Sequence, residues 1–312
     1  MGNPLTKTRQ GELCALGQAF SYSFFPIAAI LVYSQLSPLY TAAFSTLAAA
    51  LFFAALLTLQ KKWHEFKIKS AHINILVATL IIGVAFYALI FIGIQKTTAG
   101  NASIMSLMEV FFSMFILRLW KKEFLTKPHI LGAILMVMGA SMVLFQGGLQ
   151  INSGNAIILA ATALPPIGNY FAQKARQQVS SFMIMFIRSL ISGVFLLLLA
   201  RAFSPFPSSS ELAHSVIYIV LIGVIFMGLT KIFWLEAIHR IPITKAIALE
   251  SVGPLFTMTF AYFILHEIPA AWQMLGILPI FAGIWLLTDF KPTLRWKGSS
   301  SKMPTMGKWW NW

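Results

Sequence analysis

Apolar residues in this chain come in long unbroken runs separated by short polar connections. Ten runs of about 17 to 25 residues stand out, at 13–33, 38–59, 73–94, 98–118, 129–147, 154–173, 182–203, 213–236, 244–265 and 270–288. An α-helix rises about 1.5 Å per residue, so such a run matches the hydrocarbon thickness of a bilayer. The pattern predicts an all-α integral membrane protein with ten transmembrane helices and no room between them for a soluble domain. The first run is too long for a signal-peptide core and follows a polar start, so it reads as a retained first span.

Composition agrees. Only 10% of residues are charged, 58% are hydrophobic and the mean hydropathy is +0.79, whereas a soluble domain carries roughly 25% charged residues. The net charge of +14 could suggest a nucleic-acid partner. Its distribution argues otherwise, because the basic residues sit in short loops between apolar runs. With the N-terminus placed inside, nineteen of the 23 Lys and Arg fall in inside segments. Only Lys96 and Arg201 fall outside, and Arg188 and Lys231 lie within spans. That asymmetry predicts cytoplasmic N- and C-termini in a multi-pass cell-membrane protein of the bacterial inner-membrane type. The single cysteine, Cys14, excludes an intramolecular disulfide and a CxxC metal site, and is expected to pack. Residues 291–312 form a basic, Ser-rich tail with four tryptophans, expected to be disordered or to lie at the headgroups.

The two halves repeat. A shift of 144 residues carries Glu123 onto Glu267, Leu131-Gly132 onto Leu275-Gly276, Gly139 onto Gly283, and Ile94-Gln95-Lys96 onto Ile238-His239-Arg240. The repeating unit holds five spans, an odd number, so the second copy enters the membrane upside down. The expected organisation is a first five-helix repeat at 1–148, a second at 149–290 and the tail. Inverted repeats place a substrate site near the midplane between the copies and allow rocking between two states of similar energy.

Several features together resemble the drug/metabolite transporter superfamily, and within it the EamA-type family. They are the five-plus-five arrangement, Ala-Gly-Asn-Ala at 99–102, the stretch from Pro242 to Pro254, and Glu123 and Glu267, each followed by Leu-Gly at the same distance. The resemblance covers nearly all of the chain except the tail. It implies movement of small metabolites, frequently outward and in some cases proton-coupled, through a cavity lined by spans 3, 4, 8 and 9 with help from 1, 2, 6 and 7. Two departures stand out. Lys122 and His266 replace the glycine usual before the end-of-span Glu. Val110 replaces the proline usual in span 4, although Pro254 keeps it in span 9. Span 4 is therefore expected to be straighter than usual.

Charged residues in mid-span are costly and mark cavities or pairs. Glu109 is the strongest candidate, and Asn101, Met105 and Glu109 recur at i, i+4 and i+8, which puts them on one helical face. Glu109 reads as a cation-binding or proton-accepting carboxylate, or as a structural partner of Arg188 or Lys231. Lys231 could hold a substrate carboxylate or neutralise Glu250 or Glu109. Trp234, one turn away, could stack on a flat or cationic group or simply pack. Glu250 precedes Pro254 by one turn, which favours a polar kink. Arg188 reads as a snorkelling or paired residue, with structure slightly favoured over substrate contact. Pro165-Pro166 followed by Asn169-Tyr170 suggests a broken span 6 with polar groups facing inward. Tyr87 is drawn in because the shift places it on Lys231. Glu236 is expected to reach water, Glu123 and Glu267 to be structural or gate-closing, and Gly132, Gly139, Gly276 and Gly283 to be close helix contacts.

The expected activity is secondary active transport of an amino-acid-like, amine or other amphoteric solute. The expected partners are that solute, the lipid bilayer and protons as coupling ion, with no nucleic acid; the oligomeric state is a monomer or homodimer. No catalytic residue, cofactor or metal is expected: the six histidines sit at span ends or in loops without metal spacing. The alternatives are an intramembrane enzyme, which would need a nucleophile with a base or paired aspartates, and a non-transporting scaffold or receptor.

Overall fold

The computed structural model describes residues 7–121, 127–145 and 151–287. Glu123, Lys122, Asp289 and the tail lie outside them. Among the described residues every regular element is helical. We number the helical units in chain order: α1 Lys7–Val32, α2 Pro38–Leu59, α3 Lys69–Gln95, α4 Ala99–Ser106 continuing as Met108–Lys121, α5 Lys127–Phe145, α6 Ser153–Ala161 continuing as Pro165–Arg176, α7 Ser181–Phe203, α8 Ser209–Arg240, α9 Ile243–Glu250 continuing as Gly253–Leu265, and α10 Ala271–Leu287. Among the described residues eight helices are long and apolar enough to cross a membrane; α10, at 17 residues, is shorter and α6 is interrupted.

Capping side chains set several starts. Thr98 accepts from the Asn101 N–H, Asn152 from Asn155 and Ser180 from Met183. Ser208 and Glu211 form a capping box at the head of α8. Large apolar side chains such as Leu51 (74% exposed), Ile217 (71%) and Phe263 (70%) point away from the protein interior. A surface of that kind is matched by lipid, not water.

Packing obeys an exchange rule. α2 packs along α7 and α5 along α10, while α1 packs on α8 as α6 packs on α3. The first part of α4 meets the second part of α9, and the second part of α4 meets the first part of α9. Swapping each unit for its counterpart five units on reproduces the same pairs, as an approximate two-fold axis requires. The glycines make the orientation explicit. A Cβ on Gly132 would lie 2.9 Å from the Gly283 carbonyl oxygen, and a Cβ on Gly139 would meet the Gly276 carbonyl. Rising numbers on α5 meet falling numbers on α10, so these helices run antiparallel. Absence of side chains at four positions lets the backbones touch.

The interruptions are also paired. Near Leu107 the ladder of α4 tightens to three-residue steps, with Leu107 N donating to Ile104 O and Val110 N to Leu107 O, both at 3.0 Å. The shift of 144 places Leu107 on Ser251, where α9 breaks. α3 and α8 carry matching stretches of wider π-helical winding, Thr79–Phe86 and Leu221–Leu229. α4 is therefore interrupted despite Val110, contrary to the expectation of a straighter span. Serine back-bonding accompanies the break: Ser103 Oγ donates to Gly100 O at 2.8 Å and Ser106 Oγ to Ala102 O at 2.7 Å. Such back-bonding bends helices. Ser251 does the same in α9, donating to Ala248 O at 2.6 Å.

His266 ends α9 in the left-handed region, at φ 56°. The Glu267 N–H then reaches back to Ala261 O at 3.2 Å, closing the helix. This turn aims the Glu267 carboxylate at the start of α4, where it accepts from Ala99 N at 3.2 Å and Gly100 N at 3.4 Å. A carboxylate there satisfies unpaired amides and meets the positive end of the helix dipole. Position 266 thus asks for glycine on backbone grounds.

Two outcomes are expected. His266→Gly relieves the left-handed penalty of about 1 kcal/mol, so the thermal midpoint of the purified protein in micelles rises; a fall would show that the imidazole contributes more than the turn costs. Gly139→Leu forces α5 from α10, with overpacking of roughly 1–3 kcal/mol, and lowers the midpoint. Gly17→Ala is the control, since its Cβ would meet nothing closer than Phe233 at 4.0 Å. Equal midpoints for the two variants would refute the close contact.

Candidate functional site

A cavity of about 140 Å³ lies between the two halves, lined from α1, α3, α4, α6, α7, α8 and α9. One water needs roughly 10–15 Å³ of such space, so the cavity leaves room for a small solute. Its wall coincides with the irregular backbone. Ser23 at the bend of α1, Leu107 in α4, Pro165 just after the break in α6, and Ser251 and Gly253 in α9 all face it. α2 contributes no described lining residue, because it packs along α7 instead. The lining extends from Gln18 and Trp234 toward Pro26, Ile94 and Thr257.

Two carboxylates and two cations meet in this cavity. Asn169 joins two walls: its amide nitrogen donates to Glu109 at 3.3 Å, and its oxygen accepts from the Trp234 indole N–H at 2.9 Å. Gln18 donates to Glu250 at 3.0 Å. The Lys231 ammonium stands 3.5 Å from the centre of the Tyr22 ring, a cation–π contact, and within Coulombic range of Glu250 and Glu109. The Arg188 guanidinium donates to the Tyr87 hydroxyl at 3.1 Å. Groups of both signs on opposed helices can hold a solute carrying both signs, and a carboxylate among them can take up a proton.

The structure brings together Glu109, Lys231, Glu250, Trp234, Tyr87, Asn169 and Arg188 at the cavity wall. Asn101, Met105 and Tyr170 are not in it. The break at Leu107 destroys the i, i+4, i+8 face, so Asn101 turns away to Gln273 (2.6 Å) and Thr97 (3.2 Å) while Met105 is fully buried between helices. Tyr170 lies under the Lys174 ammonium, 4.6 Å from its ring centre. Glu236 is not simply solvated: it accepts from Arg176 at 2.7 Å and Ser181 at 2.5 Å, and pairs with Arg240. Sequence reasoning missed Gln18 and Tyr22. Their signal was present, two polar groups at i, i+4 in an apolar run, but their partners are over 200 residues away.

The two ends of the cavity are built differently. At the basic end, Glu236 gathers Arg176, Arg240 and Ser181, and Lys245 pairs with Glu12 at 2.5 Å. At the opposite end neutral contacts dominate beside Glu267: Thr97 to Asn155 at 2.6 Å and Gln273 to Asn101. Among the described residues no group of three His, Cys, Asp or Glu is placed to hold a metal ion.

Comparison with known proteins follows the internal repeat. The profile of the EamA-like transporter family matches residues 9–145 and again residues 152–289. An uncharacterized transporter of Methanothermobacter thermautotrophicus is 25% identical over 231 residues, 72% of this chain. The matched stretch spans 66%, just under two thirds, of that relative's own length. A crystal structure of a protein superposes with a TM-score of 0.67 at 13% identity, covering 88% of this chain and 95% of that one. The last likeness shows a shared fold.

Asn169 is the joint between Glu109 and Trp234. Asn169→Leu leaves a buried indole N–H without its acceptor, a loss of about 1–3 kcal/mol, and is expected to lower the thermal midpoint by a few degrees. An unchanged midpoint would show that the bridge carries no stability.

Proposed function

The chain belongs to the EamA-like transporter family of the drug/metabolite transporter superfamily, and from that premise we propose that it is a secondary active transporter of small amphoteric metabolites working by alternating access. It is a multi-pass cell-membrane protein. We read its ten helical units as ten spans with both termini cytoplasmic, in two five-helix units at 1–148 and 149–290. The short α10 and broken α6 are then spans that satisfy their length by packing within the bundle. The proposed direction is outward.

One observation carries the reading: a cavity between two antiparallel-related halves that gathers Glu109, Glu250, Lys231 and Arg188. Burying four charges is costly without a use for them. A solute with both signs can exchange partners with these groups, and the two halves can rock about it. In this scheme the ion-paired basic end is the cytoplasmic gate, closed here, and Glu109 is the proton acceptor that couples solute flux to the proton gradient. The seven wall residues named above form the proposed substrate site, by contact or by holding the contacting groups; Asn101, Met105 and Tyr170 serve packing.

The test is uptake of a labelled panel of amino acids and amines into proteoliposomes, with and without a pH gradient. At least one solute is expected to move faster with the gradient. Glu109→Gln is expected to lower that flux by roughly tenfold or more, the equivalent of one lost charge interaction, and to flatten its pH dependence. Unchanged flux and pH dependence in the variant would remove the proton role.

A further inference from the structure

The four charged groups of the cavity are not equivalently compensated. Lys231 has the Tyr22 ring beneath it and two carboxylates in Coulombic range. Arg188 has a ring too, that of Tyr87 at 5.9 Å, but not the carboxylates. It is 3% exposed, and among the described residues its guanidinium has no carboxylate partner; its charged neighbour is the other cation, Lys231. Of its five N–H donors, one meets the Tyr87 hydroxyl, and Nε finds no acceptor. A buried guanidinium with unused donors at a cavity wall is a costly arrangement unless something brings it an anion.

The surroundings are built to hold it there. The π-helical stretch Thr79–Phe86 of α3 brings Gly83 against α7. A Cβ at Gly83 would collide with Ser192 Oγ and come 3.3 Å from Arg188 Cγ, so the bare backbone at this position leaves room for the arginine stem beside Ser192. The stretch ends at Tyr87, whose hydroxyl orients the guanidinium and whose ring centre lies 5.9 Å from it. The planar fork of arginine then presents paired donors suited to a carboxylate.

We infer that Arg188, positioned by Tyr87, is the anion anchor of the cavity and that the transported solute must carry a carboxylate, with amines that lack one excluded. The inference deepens the transport reading and rests on it for the origin of the anion. Within that solute the carboxylate goes to Arg188, and any ammonium group goes to the Glu109 and Glu250 side. Lys231 then serves as the internal counter-ion of those two carboxylates.

The experiment measures ligand-induced thermal shifts of the full chain in micelles. The probes are amino acids and simple mono- and dicarboxylates, each amino acid paired with the amine left by removing its carboxyl group. At least one acid is expected to bind about tenfold or more tightly than its matched amine, the discrimination that charge-assisted hydrogen bonds provide. Arg188→Gln is expected to bring acid and amine to parity, and Arg188→Lys to restore only part of the preference. Tyr87→Phe is expected to weaken the acid a few-fold while leaving the amine unchanged, and this variant carries the test if Arg188→Gln does not fold. Binding by no acid, equal binding of acid and amine to the wild type, a preference that survives Arg188→Gln, or unchanged acid affinity in Tyr87→Phe would each overturn the anchor. Flux of the bound acid through proteoliposomes separates the two ideas. Binding that depends on Arg188 without any flux removes the transport reading and leaves the anchor standing.

Discussion

Inside hydrocarbon every amide must find its acceptor within the chain, because no water is there to replace it. That constraint makes helices the only workable element here, and it dictates where helices can stop. α1, α4, α6 and α9 all break in mid-course, and α3 and α8 widen. The four breaks and the end of the widened turn of α3 converge on one cavity, lined there by polar side chains, whereas the widened turn of α8 packs on α2. The candidate site is thus a consequence of where backbone disorder is allowed as much as of which side chains line it.

The same pairing rule runs through the scaffold. Exchange of the halves preserves the helix contacts, the glycine contacts of α5 with α10, and the breaks at Leu107 and Ser251. Divergence between the halves extends to the wall. Tyr87 faces Lys231 across the pseudo-axis in sequence terms, Glu109 corresponds to Gly253, and Val110 to Pro254, and all six line the cavity. A duplicated frame supplies two nearly equivalent packings. The unmatched residues supply chemistry that the frame alone would place twice or not at all.

The ends of the cavity differ in how easily they come apart. At the basic end the contacts are ion pairs whose side chains keep 18–33% exposure, so water can replace each partner as it separates. At the other end Glu267 accepts backbone amides at the head of α4, and Asn101, Gln273, Thr97 and Asn155 hold one another through neutral hydrogen bonds. His266 is part of that end, since its left-handed turn sets the direction of Glu267. A residue chosen against its backbone preference at this point fits a joint that is not maximally stable.

Hydropathy alone determined that the chain is helical and membrane-embedded, because span length and apolar continuity are properties of neighbouring residues. The repeat and its odd number of helices pointed to inversion, and the profile matches to both halves agree with a duplication. Glu109, Lys231, Glu250 and Arg188 could be singled out because a charge in an apolar run is conspicuous without any structure. What sequence could not decide is which face of each helix those residues occupy once the winding changes. The three-residue steps at Leu107 moved Asn101 and Met105 off the face of Glu109, and the π-helical turns carried Gly83 and Tyr87 onto Arg188. Helical phase is a local quantity only while the helix is regular. Where it is not, tertiary packing sets it, and with it the membership of the site: Gln18 joins through Glu250, and Tyr22 through Lys231, each more than 200 residues away in the chain.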